Sequence, residues 1–252
     1  MAEGNVNNNN GNSNGDNNYK MKRASPEEAW RLFRIMAEFV DGFDIMSRVS
    51  AAVTVFGSAR TQPASPYYQQ AVELGARLAR EGFTVVTGGG PGIMEAANKG
   101  AAEAGGTSVG LNIVLPQEQK PNRYQNVRLD FDYFFARKVM FVRYAVALVC
   151  FPGGFGTLDE LFETLTLIQT HRTKQSSVIL IGKAYWAPLI SWIRHTLLEE
   201  HGAISPEDID LFYLTDDIEE AVARIVKNYH EEGVIWEPPK RVIHPASAAS
   251  SR

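Results

Sequence analysis

The sequence predicts an α/β fold built on a single Rossmann-like, doubly wound parallel sheet with helices on both faces. Short apolar runs of strand length alternate with longer helical patterns along most of the chain, which is typical of a parallel sheet with crossover helices. The runs are apolar almost throughout, as expected for strands that are covered on both faces. Three of them end in glycine-containing turns, near Gly57, Gly88 and Gly153. Because the carboxyl ends of parallel strands share one edge of the sheet, these turns are expected to line one crevice.

The two ends of the chain differ from the middle in composition. Residues 1–22 are rich in Asn and Gly and predict a disordered tail, because such a segment buries too little apolar surface to offset its ordering entropy. Residues 237–252 predict a second, flexible tail, so the folded domain is expected at residues 23–236.

A helix signal opens the folded part. Ser25 is a capping residue, Pro26 suits the first helical position, and Glu28 lies three residues after the serine. An apolar stripe then runs at helical spacing from Trp30 to Val40. Since this helix precedes the first strand, we expect it to pack on the outside of the domain or on another subunit.

Strands and helices alternate from there onward. Strands are expected at residues 53–56, 83–87, 108–113, 145–151, 177–181 and 211–214, with a further short one at 127–131. Helices are expected at residues 65–80, 93–104, 133–144, 158–170, 186–200 and 217–229. Ser65-Pro66 marks a helix start, and the glycine turns mark the ends of strands.

Composition narrows the classes of function. The chain has 252 residues and a formal net charge of −4, which argues against nucleic acid as the main partner. A single cysteine, Cys150, lies inside an apolar run; it excludes an intrachain disulfide and is typical of a reducing compartment. No apolar run approaches the roughly 20 residues that span a bilayer, and the N-terminus lacks the apolar core of a signal peptide. We therefore expect a cytoplasmic protein without a membrane partner.

Two of the turns are glycine-rich and each opens a helix. They are the 88–92 turn, Gly88-Gly89-Gly90-Pro91-Gly92, and the 153–157 turn, Gly153-Gly154-Phe155-Gly156-Thr157. Glycines let backbone amides approach an anion, and a helix N-terminus adds positive potential, so a phosphate site is predicted. Neither turn matches the G-x-G-x-x-G dinucleotide spacing or the Gly-Lys-Ser/Thr ending of a P-loop. Alternatively, the glycines only make tight connections between strand and helix.

Three charged residues near these turns are candidates for the site. Thr157 and Glu160 fit a capping box, yet a carboxylate beside an anion site could equally act on a substrate. Arg137 and Lys138 open a helix, where a basic pair opposes the helix dipole, so they either contact a bound anion or are simply solvated. The five histidines are scattered without metal-ligand spacing, and neither a metal nor a cofactor is expected.

Three motifs occur together in an order that indicates a known family. They are Pro152-Gly153-Gly154-Phe155-Gly156-Thr157-Leu158-Asp159-Glu160, Gly88-Gly89-Gly90-Pro91-Gly92-Ile93-Met94-Glu95-Ala96, and Arg137-Lys138 with Met140. The first is similar to the signature P-G-G-x-G-T-x-x-E of the LONELY GUY (LOG) family, the cytokinin-activating phosphoribohydrolases. The other two resemble further elements of that family, and the similarity extends over about residues 53–226.

This resemblance implies a function. The substrate would be a nucleoside 5′-monophosphate, such as AMP or an N6-modified AMP, hydrolysed to free base and ribose 5-phosphate. Arg137 and Glu160 would be the catalytic pair, and the 153–157 turn would hold the 5′-phosphate. Glu118 and Thr166 would match further substrate-contacting positions of the family. The turns that line the crevice and the two other motifs add Gly57, Ser58, Gly88, Gly89, Gly90, Gly92 and Lys138 as expected substrate-binding positions.

Two more expectations follow from the family. Its members form homo-oligomers, either dimers or, in the branch with a long N-terminal helix, hexamers. Members have also been labelled lysine decarboxylases, but nothing in the sequence supports a pyridoxal-phosphate lysine, and that interpretation is rejected. A carrier on the same fold that binds a nucleotide or pterin cofactor without hydrolysis is the alternative function.

Overall fold

One parallel sheet organises the protein. The computed structural model describes residues 26–115, 120–173 and 176–232. The strands are β1 (Ala52–Phe56), β2 (Thr84–Thr87), β3 (Ser108–Ile113), β4 (Val127–Phe131), β5 (Ala145–Cys150), β6 (Ser177–Ile181) and β7 (Phe212–Thr215). They pair in the order β4-β3-β2-β1-β5-β6-β7, and every pairing is parallel. The predicted doubly wound α/β class is therefore confirmed, whereas both predicted tails lie outside the described residues.

The strand order sets the position of the site. After β1 the chain moves outward through β2, β3 and β4, and it then returns to place β5 on the other side of β1. The winding direction thus reverses between β1 and β5. In open α/β sheets a crevice forms at this reversal, beyond the carboxyl ends of the two strands.

Helices cover both faces of the sheet. They are α1 (Pro26–Met46), α2 (Pro66–Arg80), α3 (Ile93–Glu103), α4 (Phe134–Arg143), α5 (Phe155–Gln169), α6 (Lys183–Trp192) and α7 (Ile218–Glu232). A π-helix, Ile193–Glu200, continues α6, and a 3-10 helix, Pro206–Leu211, leads into β7. Helices α2, α3 and α7 pack on one core that includes Val53 and Val55, while α1, α4, α5 and α6 pack on the opposite core with Phe56 and Leu148.

Helix α1 is apolar on two sides but covered on one. Phe39 and Phe43 pack against the second core, and Glu38 accepts the backbone N–H of Asp132 at 2.7 Å, just before α4 begins. The outward stripe is open: Trp30 is 68% exposed and Phe33 60%. The helix therefore packs on the outside of the domain, as one of the two expectations had it, and leaves an apolar surface.

Candidate active site

A pocket of about 670 Å³ lies where the winding of the sheet reverses. Its walls come from the turns after β1 and β5, the start of α5 and one side of α4. The lining residues are Phe56, Gly57, Ser58, Ala59, Arg60, Gly88, Met94, Ile113, Leu115, Phe134, Arg137, Phe141, Gly154, Phe155, Gly156, Thr157, Asp159 and Glu160. The three glycine-containing turns thus meet at one crevice, as predicted from the pattern of the strands.

Backbone hydrogen bonds hold the turns together. The Phe151 N–H donates to Phe56 O at 2.8 Å, and the Ser58 N–H donates to Pro152 O at 3.0 Å. The pairing of β1 with β5 therefore continues beyond the ends of the strands. Ser58 O also accepts the N–H of Ile93, the first residue of α3, at 3.1 Å.

The 153–157 turn forms the N-terminus of α5 at the pocket wall. Gly154 is the N-cap residue, with an extended backbone, and Phe155 is the first residue of the helix. The first amides of a helix have no acceptor within the helix, so they are free to bind an anion. Gly153 does not line the pocket, and a Cβ on this residue would lie 2.1 Å from Thr157 Oγ1. Its glycine permits close packing of the turn on the helix start.

Glu160 lies in the second turn of α5 and is 5% exposed. The capping-box hypothesis for Thr157 and Glu160 is wrong, because α5 begins three residues earlier than predicted and Gly154 takes the cap position. Burial raises the pKa of Glu160 to about 7; Lys138 and Arg137 oppose this rise, while Glu163 and Asp159 add to it. The Oε2 atom is buried without a hydrogen-bond partner among the described residues. Such an atom is available to a ligand.

Arg137 reaches the same pocket from α4. Its guanidinium lies over the rings of Phe134 and Phe141, 5.1 and 5.4 Å from their centroids. Burial lowers its pKa, and the negative charge of Glu160 opposes that change. The Nε atom is buried and has no partner in the part of the chain that is described. The aromatic rings thus hold the guanidinium flat against the pocket wall.

Lys138 is not among the residues that line the pocket. Its Nζ lies 2.7 Å from Glu163 Oε2 and 3.0 Å from Asp159 Oδ2, so it joins α4 to α5. Burial lowers the pKa of Lys138, but the hydrogen bonds to Glu163 and Asp159 outweigh burial and the net pKa is raised. The predicted basic pair is therefore divided: Arg137 faces the site, and Lys138 braces the helix that carries Glu160.

The 88–92 turn contributes Gly88 alone to the pocket lining. The Gly89 N–H donates to Thr87 Oγ1 at 3.0 Å, and the carbonyls of Gly89 and Gly90 accept from the side-chain amide of Asn122 at 3.1 and 3.0 Å. A Cβ at Gly92 would lie 2.3 Å from Ser58 O. Gly92 thus permits close backbone packing on Ser58, and direct contact of Gly89, Gly90 and Gly92 with substrate remains a prediction.

The other predicted site residues divide in the same way. Gly57 and Ser58 line the pocket. Thr166 is exposed on α5, where its hydroxyl donates to Phe162 O at 2.7 Å, and it borders a separate groove with Lys138. Glu118 lies outside the described residues. Sequence reasoning missed Arg60, although it lies two residues after Ser58 in the first turn, a position that would have pointed to it.

The described residues offer neither a metal cluster nor a membrane-spanning helix. Within residues 26–115, 120–173 and 176–232, no three His, Cys, Asp or Glu side chains group to hold a metal ion. No described helix is both long enough and apolar enough to cross a bilayer.

Comparisons with known proteins agree with the motifs. The family model described as "Possible lysine decarboxylase" matches residues 94–225, just over half of the chain. The cytokinin riboside 5′-monophosphate phosphoribohydrolase of Rhodococcoides fascians is 32% identical over 181 residues, which cover 69% of this chain and 88% of that protein. The cytokinin riboside 5′-monophosphate phosphoribohydrolase LOG of Oryza sativa subsp. japonica is 29% identical over 196 residues, covering 76% and 79%.

Solved structures share the fold. The X-ray structure of TM1055 is 28% identical with a TM-score of 0.54, covering 71% of this chain and 99% of that one. A molybdenum cofactor carrier protein from Chlamydomonas reinhardtii is 24% identical with a TM-score of 0.55, covering 72% and 99%. At 24% identity, the similarity to the carrier shows a common fold and does not indicate which ligand the present chain binds.

The pocket does not fit the decarboxylase description of the family model. A pyridoxal-phosphate enzyme needs a lysine amine free to form a Schiff base. No lysine is among the described lining residues, and the neighbouring Lys138 is held by Asp159 and Glu163.

The match over residues 94–225 and the similarity to phosphoribohydrolases agree on one assignment: the chain belongs to the LONELY GUY (LOG) family.

Proposed function

We propose that the protein hydrolyses the N-glycosidic bond of a nucleoside 5′-monophosphate, AMP or an N6-modified AMP, to free base and ribose 5-phosphate. The observation that carries the proposal is Glu160: a buried carboxyl in the pocket wall, with one oxygen unpartnered among the described residues. It lies one helical turn from an anion-binding helix N-terminus. The names of the related phosphoribohydrolases support the same reaction.

The 5′-phosphate binds at the start of α5. Gly154, Phe155 and Gly156 line the pocket there, and the helix N-terminus offers amide donors and positive potential. Binding energy from the phosphate, which does not react, fixes the ribose beside Glu160 and so contributes to the rate of bond cleavage.

Bond cleavage takes place beside Glu160. As the bond from C1′ to the base nitrogen breaks, its electron pair leaves with the base and positive charge grows on the ribose ring. The Glu160 carboxylate either stabilises this charge or takes a proton from the attacking water. The water oxygen bonds to C1′, and the proton that the water loses ends on the base nitrogen, either directly or by way of Glu160. Arg137 orients the ribose through its planar guanidinium.

The apolar part of the pocket suits the base. Met94, Ile113, Leu115 and Phe134 line it, and a flat purine gains from contact with such a surface. An N6 substituent would extend this contact. We therefore place the base on this side and the phosphate at α5.

The test is a substrate panel with product identification. AMP, N6-isopentenyl-AMP and the mono-, di- and triphosphates of the other nucleosides are incubated with the protein, and free base and ribose 5-phosphate are separated by chromatography. We expect release from the monophosphates. Glu160→Gln should lower kcat by at least about 100-fold while it retains AMP binding, and Glu231→Gln on the exposed end of α7 is the control.

The same experiment distinguishes a hydrolase from a carrier that binds its ligand without cleaving it. Tight AMP or pterin binding with no free base after hours of incubation would replace hydrolysis with the function of a non-hydrolysing carrier. Normal turnover in Glu160→Gln would remove the catalytic role of that carboxyl.

A further inference from the structure

Arg60 lines the pocket, yet bond cleavage as proposed above does not use it. It is the third residue of the turn that starts at Ser58, and its side chain is exposed. Its guanidinium forms no hydrogen bond or ion pair with another side chain within the described residues. A strongly donating cation at a pocket wall is thus available for a ligand.

The backbone of Arg60 is fixed although its side chain is free. Its N–H donates to Ser58 Oγ at 3.1 Å, and its carbonyl accepts from the Gln62 side-chain amide at 3.3 Å. Ser58 is in turn bonded to Pro152 O. These hydrogen bonds therefore set the position of the Arg60 Cα relative to the 153–157 turn.

The charges around the pocket leave Arg60 without an acidic partner. Four charged side chains are among the described lining residues: Arg60, Arg137, Asp159 and Glu160. Asp159 pairs with Lys138, and Arg137 faces Glu160, whose charge opposes the effect of burial on its pKa. Among the lining residues, Arg60 is the cation with no acidic side chain set against it, and the amides at the start of α5 add further positive potential.

We propose that Arg60 binds the 5′-phosphate of the substrate and makes the site select nucleoside monophosphates over nucleosides. This inference rests on the proposed function. A guanidinium can bind two phosphate oxygens with parallel N–H groups, while the α5 amides bind the remaining oxygen. Because the side chain is exposed before binding, it reaches the phosphate without first breaking an internal ion pair.

Activity towards AMP and adenosine, which differ by the phosphate alone, tests the inference. Arg60→Gln should lower kcat/KM for AMP by about 10- to 100-fold and leave that for adenosine unchanged. Arg60→Lys should recover part of the loss, because the charge remains but the fork does not. Arg80→Gln, at the far end of α2 from the pocket, should match the unmodified protein for both substrates.

Binding measurements test the role of Arg60 independently of whether the protein hydrolyses AMP. Equilibrium dialysis with AMP and with adenosine measures the phosphate preference even if no base is released, so failure of the hydrolase would leave the Arg60 result readable. A preference for AMP that falls in Arg60→Gln supports the inference. An unchanged preference, an equal loss for both compounds, or no AMP binding by the unmodified protein overturns it.

Discussion

Arg137 and Glu160 face one pocket from neighbouring helices without forming an ion pair. Each carries a buried atom, Nε and Oε2 respectively, that lacks a partner among the described residues. A buried polar group without a partner costs about 1–3 kcal/mol, so the arrangement is less stable than a closed pair would be. The ribose of the proposed substrate carries hydroxyl groups, which can both donate and accept hydrogen bonds and so match what the two atoms lack.

The raised pKa of Glu160 predicts a pH dependence of activity. If the ionised carboxylate is the active form, kcat/KM for AMP should rise with pH and level off above about 7. Initial rates from pH 5 to pH 9 in buffers of constant ionic strength measure this. A rate that falls through the same range would mean that the protonated carboxyl acts as a general acid.

The same pKa predicts how stability changes with pH. The pKa of Glu160 rises from its ordinary value of 4.5 to about 7 on folding, so between these values the folded state holds a proton that the unfolded state has lost. The stabilisation is full below about 4.5 and is lost as pH rises through 7, by up to about 3 kcal/mol.

Glu160→Gln should remove most of this pH dependence. Denaturant unfolding at pH 5 and pH 8 is the measurement, and at pH 8 the variant should be more stable than the unmodified protein by about 1–3 kcal/mol. Parallel pH dependences in the two proteins would contradict the burial of an ionisable group at this position.

Removing the ammonium of Lys138, which does not line the pocket, should change the pKa of Glu160. Lys138 lowers the pKa of Glu160 and braces Asp159 and Glu163, so Lys138→Met should move the rise of kcat/KM to higher pH. Stability should fall by about 1 kcal/mol, since the pair is partly exposed. Lys227→Met, which breaks an exposed ion pair on α7, is the control. An unshifted pH profile would separate Lys138 from the chemistry.

Two glycines allow the steric demand of the 88–92 turn to be isolated. Gly92 and Gly105 both have positive φ, +69° and +79°, but a Cβ at Gly92 would meet Ser58 O at 2.3 Å while one at Gly105 would meet nothing within 4 Å. Gly105→Ala should cost about 1–2 kcal/mol, and Gly92→Ala at least about 2 kcal/mol more. Equal losses in thermal unfolding would show that conformation alone requires these glycines.

The outward stripe of α1 predicts self-association. A helix that is apolar on two sides is expected to be covered on both, and we propose a second copy of the chain as the cover for Trp30 and Phe33. Phe33→Glu should then lower the mass measured by light scattering, whereas Glu27→Gln on the same helix should not. A monomeric unmodified protein would contradict this proposal.

Sequence patterns predicted the sheet well because buried parallel strands leave a strong apolar signal. They misplaced the start of α5, since Thr157 and Glu160 satisfy the pattern of a capping box that the extended backbone of Gly154 makes unnecessary. They also could not assign different roles to Arg137 and Lys138, which are adjacent in sequence. Arg137 lines the pocket, whereas Lys138 pairs with two acidic side chains. That distinction depends on Asp159 and Glu163, brought close only by tertiary packing.

The hydrogen bond from Ser58 to Pro152 has a consequence for how the protein is made. It joins parts of the pocket that are far apart in the chain, and it requires Pro152, which follows β5, to lie beside the end of β1. A nascent chain that ends before β5 has no complete ligand site, however well its first strands have folded. Ligand binding would therefore report that β5 has joined β1, and a ligand would stabilise variants in which this junction is weakened.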